Sequence, residues 1–298
     1  MVSPRKKSKL LKSVLYLARS LKMVFLYKNW VDIPFSVLGL VDFSKGWKMK
    51  LWNGTSFKVN NYMETLTVME VIYENCYNLE SRDKGVIIDI GANIGSFSVF
   101  ASRLCEGSTV YSFEPSKNTF SYLLENININ KLPRRKTTGN SQSLNKIRFK
   151  IKPLNLAVGR KNGFSKLYDR GRSGSMSMFD FGKKLPYEKV KVITLTKIFH
   201  KYKIKKCSFL KLDCEGSEYD ILLNTPISVY KKIDTISLEF HELVNGQSHQ
   251  VLVNTLKKNG FSVSSRYHNI ENTIGYIYAS KKVITRRHKD DKIRKSIQ

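Results

Sequence analysis

Three short stretches place acids and glycines where an apolar run stops. They are Asp89, Gly91, Asn93 and Gly95 in VIIDIGANIGSFSVF, Glu114 in VYSFEP, and Asp213, Glu215, Gly216 and Glu218 in FLKLDCEGSEYDILLNTP. Carboxylates at such places can accept hydroxyls, hold cations or exchange protons. A turn from strand to helix adds free backbone N–H groups and the positive end of the helix dipole. The glycine spacing is G-x-x-x-G, not the G-x-G-x-x-G of dinucleotide binders, so by itself the first stretch also suits a tight turn without a ligand. Glu114 follows Asp89 by 25 positions and ends the next apolar run. An acid there can accept both hydroxyls of a ribose, and the two stretches together point to an adenosine-containing ligand.

These residues need a frame that brings strand ends to one edge. From residue 86 the pattern predicts strands at 86–90, 109–114, 147–157, 207–213, 233–240, 261–266 and 273–280, with helices at 94–104, 116–130, 194–203, 216–224 and 247–259. Such alternation predicts an α/β fold with a mostly parallel seven-stranded sheet and helices on both faces. Ahead of it, KGWKMKLWNGTSFKVN alternates on both sides of Asn53-Gly54, a strong hairpin signal. Residues 8–28 carry Leu10, Val14, Leu17, Leu21 and Phe25 on one helical face, with Lys9, Lys12, Arg19 and Lys22 on another. A basic amphipathic helix of this kind docks on the domain behind it or lies on a membrane surface. The expected organisation is a helical extension over 1–44, a hairpin and helix over 45–83, the main domain over 84–281 and a polar basic tail over 282–298. Residues 131–150 carry seven basic and no acidic side chains and read as an exposed loop; 169–186, rich in glycine and serine, reads as a mobile loop.

With 52 Lys and Arg against 24 Asp and Glu, the 298-residue chain has a formal charge of +28. That excess favours an anionic partner without choosing among nucleic acid, membrane surface and phosphorylated substrate. Cys76, Cys105, Cys207 and Cys214 lie singly, with no C-x-x-C pair, which fits reduced thiols in a cytoplasmic protein and not a zinc site. No apolar run approaches the roughly 20 residues that span a bilayer, and the charges within the N-terminal apolar stretch argue against a secretory signal.

The succession DIGANIGSFS, FEP and FLKLDCEGSEYDIL resembles the FkbM-type methyltransferases, a branch of the class I S-adenosylmethionine-dependent enzymes with a Rossmann-like fold. The resemblance runs from about residue 60 to 280, and its third motif is close to the family's K-x-D-x-E-G-x-E. It implies S-adenosylmethionine as cofactor, with Asp89, Gly91, Asn93 and Gly95 around the methionine part, Glu114 on the ribose and Asn155 to Gly159 near the adenine. It also puts Lys211, Asp213, Glu215 and Glu218 on the turn that faces the substrate, and Glu70 on the cofactor side of the helix before the first sheet strand.

Transfer to a hydroxyl needs alignment and a base, for which Asp213, Glu215 and the His241 that ends ISLEFH are the candidates. The carboxylates could hold Mg²⁺ against a sugar diol, but no spacing demands a metal and none is assigned. The expected acceptor is a hydroxyl on a sugar, glycan or related small molecule, bordered by Ser173 to Ser177. An RNA acceptor is the alternative, not favoured because no aromatic cluster interleaves the basic loop. A third reading is a membrane-surface protein, which could act on a lipid-linked glycan.

Overall fold

The computed structural model describes residues 26–30, 32, 46–131, 150–171, 176–179, 184–242, 248–268 and 273–281. The amphipathic stretch up to residue 25, the basic loop except its two end residues, Ser173 to Ser175 and the polar tail lie outside them.

The hairpin is present as β1 (Trp47–Lys50) and β2 (Ser56–Val59), antiparallel with Trp47 opposite Val59. Asn53-Gly54 sits inside a connection longer than the two-residue turn its sequence suggests. The Thr55 N–H donates to Asn53 Oδ1 at 3.0 Å, and Gly54 takes φ 82°. Helix α1 (Tyr62–Ile72) follows, started by Asn61, whose side chain accepts from the Glu64 N–H at 2.9 Å. The Glu64 carboxylate in turn accepts from the Asn60 N–H at 2.7 Å, so the helix start is closed in both directions.

The main domain then runs β3 (Val86–Ile90), α2 (Ser96–Leu104), β4 (Thr109–Phe113), α3 (Lys117–Asn130), β5 (Lys150–Leu154) and β6 (Ala157–Val158). It continues as β7 (Gly163–Asp169), β8 (Met176–Ser177), β9 (Tyr187–Ile193), α4 (Leu195–Lys201), β10 (Phe209–Leu212), α5 (Ser217–Leu223) and α6 (Ile227–Tyr230). It closes with β11 (Thr235–His241), α7 (His249–Lys258), β12 (Ser262–Tyr267) and β13 (Ile274–Ser280). Seven strands form one sheet in the order β12-β13-β11-β10-β3-β4-β5. All neighbours are parallel except β13, which is antiparallel to both β11 and β12.

Alternation along β3 sorts the core. Ile88 and Ile90 pack with Ile198, Leu222, Leu252 and Leu256 on one face, whereas Ile87 packs with Phe97, Ala101 and Phe209 on the other. Helices cover both faces, so the central strands read as nearly unbroken apolar runs. Against that background Asp89 and Lys211 stand out, as both are buried and charged on adjacent central strands. The hairpin docks on α3. Asn126 Oδ1 accepts from the Lys58 N–H at 2.7 Å, and Asn130 Oδ1 from the Ser56 N–H at 3.1 Å.

A second sheet, ordered β6-β9-β7-β8, has no counterpart in the sequence reading. Its strands carry lysine and glycine among their alternating positions, and Leu167, Val190 and Val192 pack inward with Ala157. The glycine- and serine-rich stretch 169–186 therefore contains a strand, Met176–Ser177, paired with Tyr168 and Asp169. The four cysteines are free thiols. Among the described residues no helix is long and apolar enough to cross a membrane.

Candidate active site

The ends of β3, β4, β10 and β11 meet at one edge of the main sheet, and each contributes to a cleft there. The turn after β3 is tied to β4, since the N–H groups of Gly91 and Ala92 both donate to the Phe113 carbonyl, at 3.0 and 2.9 Å. Gly91 (φ 73°), Asn93 (φ 49°) and Gly95 (φ 94°) all take left-handed backbone conformations. Each glycine has a cause within the chain itself. A Cβ on Gly91 would overlap the Asp213 carbonyl, and one on Gly95 would come within 2.6 Å of Leu123 Cδ1 of α3. The glycines let chain approach chain, and Gly91 also borders the cleft whereas Gly95 faces α3.

Glu114, at the tip of β4, accepts from the Asn93 N–H at 3.0 Å through Oε2 and from the Ser116 N–H at 2.9 Å through Oε1. Burial pushes its pKa up to about 7, partly opposed by those two hydrogen bonds. Each carboxylate oxygen keeps a lone pair for a hydroxyl. Beside it the cleft is walled by Leu156, Ala157, Val158, Leu167, Met176 and Met178, and it holds about 690 Å³ of space, part of it open to solvent. An acid that can hold a diol, next to an apolar slot for a planar ring, fits an adenosine. The sequence signal NLAVG therefore falls on this wall, which the second sheet completes.

The turn after β10 is fastened to the turn after β3. The buried Lys211 ammonium lies 3.2 Å from Asp89 Oδ1 and 3.8 Å from Asp213 Oδ2, and donates to the Gly91 carbonyl at 2.7 Å. Burial alone would lower its pKa, but Asp89 and Asp213 outweigh burial and hold the ammonium above the usual lysine range. Asp89 Oδ2 accepts from Ser98 Oγ at 2.6 Å. Asp89 is thus committed to the interior, supporting the turn without lining the cleft. Asp213 does line it, and its Oδ2 accepts from Tyr77 Oη at 2.8 Å.

Glu215 lines the cleft with a left-handed backbone at φ 53°, and its Oε2 pairs with Arg170 at 3.1 Å. Burial raises its pKa, with His241 opposing. Glu218 is fully buried and turns back on its own loop, accepting from the Cys214 and Gly216 N–H groups at 2.7 and 2.9 Å. This is the structural part of the E-G-x-E pattern: the second acid closes the turn that presents the first.

His241 stands between these acids, Nε2 at 3.8 Å from Glu215 and Nδ1 at 3.4 Å from Glu218. Burial would lower its pKa, but Glu218, then Glu215 and Glu239, push it up to about 10. As arranged, the ring lies among carboxylates, and among the described residues its Nδ1 has no hydrogen-bond partner. Glu239, two residues earlier on β11, is raised well above the ordinary carboxylate range by burial and then by Asp213.

The sequence reading thus placed Gly91, Asn93, Glu114, Asp213, Glu215 and His241 at one edge, where the structure brings them together. Glu70 lies farther out, its carboxylate 3.8 Å from His268 Nε2. Ser177 is drawn in through β8, donating to the Glu215 carbonyl at 2.6 Å. Sequence reasoning missed Tyr77, Arg170 and Glu239. Glu239 had a signal, since it shares a strand face with His241 in ISLEFH. Tyr77 and Arg170 reach Asp213 and Glu215 from loops, for which no spacing rule exists.

The family described as the methyltransferase FkbM domain matches residues 89–263, more than half of the chain. Methyltransferase 1 of Beauveria bassiana (strain ARSEF 2860) is 25% identical over 182 residues, which cover 57% of this chain and 70% of that protein. The 31-O-demethyl-FK506 methyltransferase FkbM of Streptomyces tacrolimicus is 37% identical over 82 residues, 26% of this chain and 32% of that protein. A crystal structure of methyltransferase FkbM from Methylobacillus flagellatus KT superposes with a TM-score of 0.43 and 16% identity, over 70% of this chain and 47% of that one. The chain therefore spans about a third of the Streptomyces relative and about half of the Methylobacillus chain.

Proposed function

The chain belongs to the FkbM methyltransferase family, and from that premise we propose that it methylates a hydroxyl on a sugar, glycan or related small molecule, with S-adenosylmethionine as cofactor. One observation carries the reading: the slot beside Glu114 opens directly onto the carboxylates of Asp213 and Glu215. The Streptomyces relative, whose name denotes methylation of an oxygen, supports a hydroxyl acceptor.

When bound, S-adenosylmethionine supplies a methyl group already activated on a sulfonium, so the protein's task is alignment and proton removal. Glu114 would hold the ribose, the turn from Gly91 to Asn93 the methionine part, and Leu156 to Val158 with Met176 and Met178 the adenine. Asp89 and Gly95 act behind them, one fixing Lys211 and the other letting α3 approach. We assign the acceptor's proton to Glu215, which lines the cleft, and its orientation to Asp213. His241 holds Glu215 in place from the far side. We place the enzyme in the cytoplasm, a reading supported by its free thiols.

Isothermal titration with S-adenosylmethionine is expected to show binding by the wild type and a loss of at least tenfold in Glu114→Ala; equal binding by both removes the ribose assignment. Incubating the enzyme with methyl-labelled cofactor and cell extract should then put label into the glycan or small-molecule fraction. Label confined to RNA would replace the proposed acceptor with the alternative one.

A further inference from the structure

We propose that Asp213, Glu218 and His241 form a binding site for one divalent transition-metal ion of the Mn²⁺ type, at the acceptor end of the cleft. The ion's presence follows from the site alone; its role rests on the methyltransferase reading above.

The geometry comes first. One ligand atom from each of the three side chains lies within 4.8 Å of the other two, and His241 Nδ1 stands 3.4 Å from Glu218 Oε1. Around an ion bound at about 2.1–2.4 Å, ligand atoms stand about 3 Å apart when adjacent and about 4.5 Å apart when opposite. Any pair standing farther apart than about 3 Å must close unless it takes opposite places on the ion, so ligation by all three draws the side chains inward.

A second observation is independent of the acids. His241 is 3% exposed, and its Nδ1 is completely covered yet makes no hydrogen bond. A buried polar atom without a partner carries a desolvation cost that a ligand can relieve. This nitrogen is directed at the carboxylates, not at solvent or backbone.

Charge gives a third reason. Asp213, Glu215, Glu218 and Glu239 converge here, and their nearby cations are Arg170 and the His241 ring. Lys211 also approaches Asp213, but it is closer to the buried Asp89. Among the described residues the acids named here outnumber the cations beside them. A divalent ion bound there would sit among these carboxylates.

The donor set selects the ion. Oxygen-only sites suit Mg²⁺ and Ca²⁺, whereas an imidazole with two carboxylates suits Mn²⁺ and its first-row neighbours. The ligands are also pre-oriented: Tyr77 fixes Asp213, and the Cys214 and Gly216 N–H groups fix Glu218. An ion held there would polarise an acceptor hydroxyl and ease transfer of its proton to Glu215.

The test uses full-length protein treated with a chelator and dialysed, then titrated with Mn²⁺ while the free aqueous ion is followed by electron paramagnetic resonance. The wild type and Glu106→Gln, an exposed acid away from the site, should each bind one ion per chain below millimolar concentration. Asp213→Asn and His241→Ala should bind at least tenfold more weakly. His241→Ala should melt cooperatively, which separates loss of the ion from loss of the fold. Failure of the wild type to bind Mn²⁺ below millimolar concentration, or unchanged binding in both site variants, overturns the proposal. If the cofactor binds and Mn²⁺ does not, the metal site falls and the methyltransferase reading stands; the reverse result does the opposite.

Discussion

Gly91 and Asp213 meet backbone to backbone, so closely that a Cβ on Gly91 would overlap the Asp213 carbonyl oxygen. The turn that follows one central strand is seated on the turn that follows its neighbour, and the cofactor side and acceptor side of the cleft move as one piece.

Gly91→Ala should therefore be far more harmful than an ordinary glycine replacement. The left-handed φ of 73° alone costs about 1 kcal/mol for alanine, and the overlap must be relieved by separating β3 from β10. Urea unfolding is expected to show a loss of more than about 2 kcal/mol with an unchanged slope. A loss below 1 kcal/mol would mean that the two turns are not locked together.

Glu114 should give opposite pH signatures in stability and binding. Burial raises its folded pKa from 4.5 to about 7, so the folded chain holds this proton more tightly than the unfolded chain. Its favourable contribution to stability is complete below about 4.5 and is lost as the pH rises through about 7. Ribose hydroxyls need the carboxylate, so cofactor affinity should instead be about tenfold weaker at pH 6 than at pH 8. Calorimetric binding across this range, in wild type and Glu114→Gln, checks both the sign and the residue, because the glutamine variant should lose the dependence.

Lys211 and Asp89 should prove coupled. Lys211→Met leaves Asp89 buried without its cation, which should cost about 3–5 kcal/mol, whereas the double change Lys211→Met with Asp89→Asn should cost clearly less than the two single changes added together. A double-mutant cycle measured by urea denaturation decides; simple additivity would remove the pair from the account of the turn.

Ser177→Ala tests the strap that β8 lays over the cleft. The hydroxyl is buried, donates to the Glu215 carbonyl at 2.6 Å and accepts from the Phe179 N–H at 3.1 Å. Removing it should cost about 1–2 kcal/mol of cofactor binding, five- to thirtyfold in Kd, with the circular dichroism spectrum unchanged. Unaltered affinity would detach the strap from the cofactor.

The main sheet was legible because its central strands are buried on both faces and bounded by turn residues, as in VIIDI before Gly91 and FLKL before Asp213. The acids at their ends followed from the same logic. Lys211 was visible only as part of a motif, and its work, binding Asp89 and the Gly91 carbonyl across two strands, depends on a register that spacing along one strand cannot supply. The second sheet escaped for a different reason. Its strands are half exposed, lysine-bearing and short, so neither an apolar run nor a clean alternation marks them. What excludes a Cβ at Gly91 and Gly95 was not legible, since the neighbours, Asp213 and Leu123, lie far along the chain.

The hairpin is built near the start of the described chain, yet its polar edge is satisfied by Asn126 and Asn130, 68 and 74 positions later. A segment made first must wait for a helix made much later, and a loop of that length closes slowly. Pairing of its polar edge thus waits on α3. A chain arrested before α3 should therefore carry this edge of the hairpin unpaired and open to proteases.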